Sequence, residues 1–249
     1  MTLATFLPDI EVAAYEAELT EHLGVDHVVA VSSGTTALHC ALYAVGVQPG
    51  DEVLMPALSV VMAAAPVHHL GATPVFVDCT PDGRDFDYHD LAAKVTDRTT
   101  VMLPVYLWGR AGDENLARSF AADRGLALVT DACQALGTTN ESPTIADPSM
   151  QPASPAVRRL TNQVGIRADI GCFSTHRLKL LSTGEGGFLT TNDPYLADQA
   201  RAYRSHWQTA DSGQMPMSRL AHNFRLEAPA NDGGGVGVTT WMWGRHGRR

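Results

Sequence analysis

The feature that most constrains the fold is an alternation of short valine-, leucine- and isoleucine-rich runs with longer helical patterns. His27–Val31, Glu52–Met55, Pro74–Val77, Val101–Val105 and Leu126–Thr130 read as strands. Helices are predicted over Glu11–Leu23, Thr36–Val45, Ser59–Leu70, Tyr88–Val95 and Asp113–Arg124, with Pro66 expected to shorten or kink the third. Strands covered on both faces appear as continuous apolar runs, and these do. The order therefore predicts an α/β fold with a mainly parallel sheet between helices. Asn140–Arg167 interrupts the rhythm with Ser, Pro, Thr and Asn and reads as a long surface loop. Strands return at Asp169–Ser174 and Gly187–Thr191 around a glycine-rich turn, followed by a charged amphipathic helix at Tyr195–Ser205.

Composition narrows the function classes. Hydrophobic residues make up 45% and charged residues 18% of the 249, a globular balance. The formal charge of −9, with no basic run before the last few residues, offers no face for nucleic acid. Cys40, Cys79, Cys133 and Cys172 are scattered without a C-x-x-C pair and read as free thiols of a reducing cytoplasm. The start lacks the basic and apolar regions of a secretory signal. The longest apolar stretch, Pro56–Leu70, is broken by Ser59, Pro66, His68 and His69 and is too short and polar for a bilayer. A soluble cytoplasmic protein, with neither nucleic acid nor membrane as partner, is expected.

Three segments could carry chemistry. Ser32-Ser33-Gly34-Thr35-Thr36 lies between a strand and a helix. Backbone N–H groups at a helix start favour an anion and glycine permits its approach, although the same residues also suit a simple N-cap. Asp131 ends a strand at the edge where α/β sheets hold ligands, where a carboxylate pairs with a protonated ring nitrogen or caps the next helix. Gln134 follows one helical turn later. The stretch 169–187, DIGCFSTHRLKLLSTGEGG, sets Lys179 ahead of Gly184-Glu185-Gly186-Gly187 after a buried strand. An isolated lysine is ordinarily a solvated charge, but a lysine whose neutral form is favoured attacks an aldehyde. His176 suits a proton shuttle or a packed turn residue. His22, His27, His39, His68 and His69 lack the spacing of metal ligands, so no metal is expected. The GEGG turn lacks the strand-turn-helix context of a dinucleotide fingerprint.

Taken in order, the blocks HVVAVSSGTTAL (27–38), PGDEVLMPALS (49–59), GATPVFVDC (71–79) and LPVYLWGRAGD (103–113) resemble the DegT/DnrJ/StrS family of pyridoxal-phosphate enzymes, mostly sugar aminotransferases. VTDACQALGT (129–138), FSTHRLKLLSTGEGGFLTTND (173–193) and HNFRLE (222–227) extend the resemblance over nearly the whole chain to Glu227. It implies that Lys179 holds pyridoxal 5'-phosphate as a Schiff base and moves the proton once an amino donor displaces it. By the same resemblance, Asp131 keeps the pyridine nitrogen protonated and Gln134 lies near the phenolic oxygen or ring face. Gly34, Thr35 and the Ser174 hydroxyl hold the phosphate, and Asn223 reaches the phosphate of a neighbouring subunit, implying a homodimer with a shared active site. The implied fold is the fold type I, aspartate-aminotransferase type: residues 1–227 form the large cofactor-binding domain.

The resemblance has limits. Val60 stands where the family usually stacks an aromatic residue on the ring, and Thr175, Arg177 and Leu178 replace the commoner residues before the lysine. Residues 228–249 lack either periodicity and read as an aberrant, disordered tail from a shifted frame, in place of a small C-terminal domain; the start also reads as clipped. The implied reaction is amination of a keto group on a nucleotide-linked sugar, with glutamate or glutamine as donor. Cyclitol amination and amino-hydroxybenzoate formation are the alternatives within the family, and a non-catalytic truncated remnant or cofactor-binding module is the alternative outside it. The sugar-dehydratase branch, which carries histidine at the lysine position, is disfavoured by Lys179.

Overall fold

The structure is a computed structural model and describes residues 10–139, 163–207 and 221–226. Its elements run α1 (Ile10–Leu23), β1 (His27–Val31), α2 (Gly34–Ala44), β2 (Glu52–Pro56), α3 (Val61–His69), β3 (Thr73–Val77) and α4 (Tyr88–Lys94). They continue with β4 (Thr99–Met102), α5 (Glu114–Asp123), β5 (Ala127–Asp131), β6 (Ile170–Ser174), β7 (Gly187–Thr191) and α6 (Pro194–Arg204). The strands form a seven-stranded sheet in the order β1-β7-β6-β5-β4-β2-β3. β7 runs antiparallel to both β1 and β6, and the other neighbours are parallel.

Each strand sends alternate residues to opposite faces, and helices cover both. Val29, Val31, Val53, Met55, Ile170 and Cys172 pack with α2, α3 and α6 on one side. On the other, Val28, Ala30, Phe173 and Phe188 meet Tyr15 and Leu19 of α1. Leu54, Met102 and Leu128 meet Leu91 of α4 and Phe120 of α5. Helix starts follow from side-chain caps: Asp87, Asp113 and Asp193 each accept two backbone N–H groups of the first turn. The expected α/β sandwich with a mainly parallel sheet is thus observed.

Four details differ from expectation. Pro66 lies inside α3 without ending it, and the helix begins only after Val60, which makes no side-chain cap. β4 stops at Met102 because Pro104 has no N–H for the ladder, leaving Val105 an isolated bridge to Asp131. β3, at the sheet edge, is not covered on both faces: Phe76 is 49% exposed. Residues 140–162 of the expected surface loop and the 228–249 tail lie outside the described residues, but 163–167 is no surface loop. Val164 and Ile166 are buried in the core, and Glu114 Oε1 accepts the Gly165 N–H at 2.6 Å.

Candidate active site

The sheet register gathers Asp131, Ser174 and the start of α2 at one edge. Gly187 of β7 is opposite Val31 of β1 on one side and Ser174 of β6 on the other. Asp131, at the end of β5, is opposite Cys172. The turn Ser32–Ser33 and the start of α2 therefore stand beside the end of β6. Two glycines permit this. A Cβ on Gly187 would come within 2.6 Å of the Ser33 carbonyl carbon and oxygen, and one on Gly34 within 2.6 Å of Cys133 Sγ and 2.9 Å of Ser174 Cβ.

The start of α2 is capped and still leaves donors. Ser33 Oγ accepts the Thr36 N–H at 3.1 Å, and Thr36 Oγ1 accepts the Ser33 N–H at 2.9 Å. The N-cap is therefore real. The N–H groups of Gly34 and Thr35 are outside this box and have no intrahelical acceptor, which suits an anion. Ser174 Oγ accepts the His176 N–H at 3.3 Å, so its own proton remains to be donated.

Asp131 is buried. Burial pushes its carboxyl above the usual carboxylate range, while hydrogen bonds from Cys133 and the positive charge of Lys179 pull it back. Its Oδ1 accepts the Cys133 N–H at 3.0 Å. Gln134 Oε1 accepts the Trp108 N–H at 2.9 Å, which leaves the Nε2 end as the donor. Lys179 sits on a loop closed across its base by Thr175 N–H to Gly186 O (2.9 Å) and Arg177 N–H to Gly184 O (2.7 Å). Its own N–H donates to His176 O at 2.8 Å. His176 Nε2 is 3.4 Å from Glu185 Oε1, and its Nδ1 accepts the Leu178 N–H at 3.3 Å, so His176 fastens the lysine loop.

Gly34, Thr35, Asp131, Gln134, Ser174 and Lys179 thus border one edge. Asn223, expected to reach a neighbouring subunit, is exposed and bridges Ser205 at the end of α6. Val60 packs against the core beside α2. The site fits pyridoxal phosphate in its chemistry: a cradle that admits no Cβ, helix-start donors for a phosphate, and a buried carboxylate within electrostatic reach of a lysine. Among the described residues no group of His, Cys, Asp or Glu could hold a metal, and no helix is long and apolar enough to cross a membrane.

Several contacts had no signal in the sequence. Cys133 lies against Gly34, and the Ser32 N–H donates to Phe224 O at 2.9 Å. The His39 ring packs against those of His69, Tyr203, His222 and Phe224, which come from segments far apart in the chain. Only the apolar character of the segments around them could have hinted at that.

Solved structures share this architecture. DesV from S. venezuelae matches with a TM-score of 0.75 and 31% identity over 88% of this chain and 54% of its own. NtdA from Bacillus subtilis, solved with bound PMP, matches with a TM-score of 0.75 and 27% identity over 90% of this chain and 47% of its own. The fold is that of the pyridoxal-phosphate-dependent aminotransferases. The DegT/DnrJ/EryC1/StrS aminotransferase family matches residues 6–230, and the chain belongs to that family. GDP-perosamine synthase of Caulobacter vibrioides is 35% identical over 78% of this chain and 47% of its own length. The UDP-N-acetyl-3-dehydro-alpha-D-glucosamine 3-aminotransferase of Acidithiobacillus ferrooxidans is 35% identical over 90% of this chain and 55% of its own. The chain spans about half the length of these curated relatives.

Proposed function

We propose that this chain carries the cofactor half of an aminotransferase that aminates a keto group on a nucleotide-linked sugar, with Lys179 as the catalytic residue. The observation that carries the reading is the buried Asp131 carboxyl at the end of β5 beside the Gly34–Ser174 cradle, which admits no Cβ. When bound, pyridoxal phosphate supplies an electron sink for the carbon that exchanges its amino group. The Gly34 and Thr35 N–H groups and the Ser174 hydroxyl hold the phosphate. Asp131 would keep a proton on the ring nitrogen, and Gln134, with its Nε2 end free to donate, would lie near the phenolic oxygen or the ring face. Lys179 would hold the cofactor through its amine and would move the proton at the reacting carbon.

The sugar preference rests on relatives named for perosamine and amino-glucosamine formation. An amino-hydroxybenzoic acid synthase, 30% identical with a TM-score of 0.74, keeps that alternative in view. Glutamate or glutamine as donor, a cytoplasmic homodimer, and Asn223 reaching the partner's phosphate belong to the same proposal.

The test is the yellow absorbance of the full chain mixed with pyridoxal phosphate. It is expected in the wild type and absent in Lys179→Ala; identical spectra would sink the reading. Glutamate or glutamine should then bleach it. Absorbance that no amino donor bleaches would leave a cofactor-binding module in place of an enzyme.

A further inference from the structure

Three described residues other than glycine have left-handed backbones: Trp108, His206 and Trp207, with φ of 56°, 57° and 59°. Trp207 is buried and meets the Tyr43 ring edge-on at 6.0 Å. Trp108 is different, being 67% exposed. A bulky residue at that φ is strained, whereas glycine would adopt it freely. The next residue is a glycine, Gly109, also left-handed at φ 71°. The chain thus relaxes one position of the turn and keeps an indole at the other.

That turn is fastened to the Asp131 segment along its length. Tyr106 N–H donates to Asp131 O and Asp131 N–H to Pro104 O, both at 2.9 Å. Trp108 N–H donates to Gln134 Oε1 at 2.9 Å, and Thr138 Oγ1 donates to Gly109 O at 3.0 Å. The Lys179 loop borders the same segment, since Leu180 Cδ2 is 3.2 Å from where a Cβ on Gly137 would stand. Trp108 and the lysine loop therefore both adjoin residues 131–138 at the carboxyl edge of the sheet. An exposed indole on a backbone held this firmly has little freedom to lose on binding, and its flat apolar face suits another flat face.

We propose that Trp108 is a specificity-determining stacking platform for the sugar-nucleotide acceptor, taking either the base or the apolar face of the sugar ring. The proposal rests on the aminotransferase reading of Lys179.

The test uses the full chain supplied with pyridoxal phosphate and titrated calorimetrically with UDP-glucose, GDP-mannose and dTDP-glucose. The free nucleoside diphosphates and glucose 1-phosphate serve as the two halves. Trp108→Ala is expected to weaken the tightest of these ligands about tenfold, in line with base–aromatic stacking, and Trp108→Phe to keep binding within about twofold. Trp108→Gly should weaken binding like alanine while its melting temperature stays level or rises, an outcome that a merely structural tryptophan would not give. Equal loss with the free nucleoside diphosphate assigns the platform to the base; loss only with the conjugate assigns it to the sugar. Unchanged binding in Trp108→Ala, or no saturation of the wild type by any conjugate, overturns the proposal. The yellow absorbance, recorded on the same samples, reports separately on whether the Lys179 reading has failed.

Discussion

The Ser32 backbone N–H donates to the Phe224 carbonyl oxygen at 2.9 Å, joining the turn before α2 to a segment from the far end of the described chain. The Phe224 ring stacks on His222 at 4.6 Å and 6°, and lies 5.4 Å from the His39 ring of α2. Ring packing of this kind contributes about 0.5–1.5 kcal/mol per pair beyond burial. Phe224→Ala should therefore loosen residues 221–226 and, through Ser32, the phosphate turn. The expected result is faster hydrogen exchange at the Ser32 amide and several-fold weaker pyridoxal phosphate binding. Exchange at the wild-type rate would show that the two segments are not coupled.

Gly34 tests the cradle directly. A methyl group there would meet Cys133 Sγ at 2.6 Å and Ser174 Cβ at 2.9 Å, the second fixed directly to the backbone. Overpacking of this kind costs about 1–3 kcal/mol. Gly34→Ala should lower the urea midpoint and abolish cofactor absorbance at ordinary concentrations. Adding Cys133→Ala removes one of the two clashes and should recover part of the stability. No recovery would mean that Ser174 alone sets the limit.

What could be read from the sequence follows from what side chains report. β1 and β7 were read to the residue, because a strand covered on both faces is an uninterrupted apolar run. The direction of β7 was not readable: burial on two faces looks the same in either orientation, and only the pairing with β1 and β6 reveals it. β3 misled because an edge strand carries the same apolar residues with one flank uncovered. At the site, the positions of Gly34, Asp131 and Ser174 were legible since each ends a strand or starts a helix at the same sheet edge, and that of Lys179 since it lies in the glycine-rich turn between two buried strands. Their roles came from family resemblance. The Trp108 backbone, the His39 cluster and the Glu114–Gly165 bond were not legible, because each depends on contacts between segments far apart in the chain.

His39 makes folding sensitive to acid. Burial, then the neighbouring His222 and His69, lowers its pKa to about 4 from an ordinary 6.5, and its Nε2 lies 3.4 Å from Tyr203 Oη. The native state thus takes up this proton less readily than the unfolded chain. The stability is fully present above pH 6.5, falls as pH drops from there towards 4, and levels off below. His222, its pKa lowered by burial, His206 and His69, works in the same sense. Thermal unfolding from pH 7.5 to about 4 should show the loss in the wild type and a shallower one in His39→Phe. Parallel curves for the two proteins would rule His39 out as the sensitive group.

The tie between α1, β1 and α6 is an ion pair built around the Ala30 peptide. Glu16 Oε1 accepts the Ala30 N–H at 2.8 Å and a bond from Arg204 Nη1 at 2.6 Å, while that nitrogen also donates to Ala30 O at 2.7 Å. The Arg204 side chain is only 3% exposed and that of Glu16 only 13%. Removing one partner strands the other charge, at a cost of about 3–5 kcal/mol. Arg204→Met should therefore shift the urea midpoint strongly, with little change in slope. Replacing both charges, as Glu16→Met with Arg204→Met, removes the stranded carboxylate and should recover much of that loss. It should not recover all of it, because the Ala30 N–H then lacks its acceptor, a deficit of about 1–3 kcal/mol. If the double variant instead loses the sum of the two single losses, the residues contribute independently and the pair does not act as a unit.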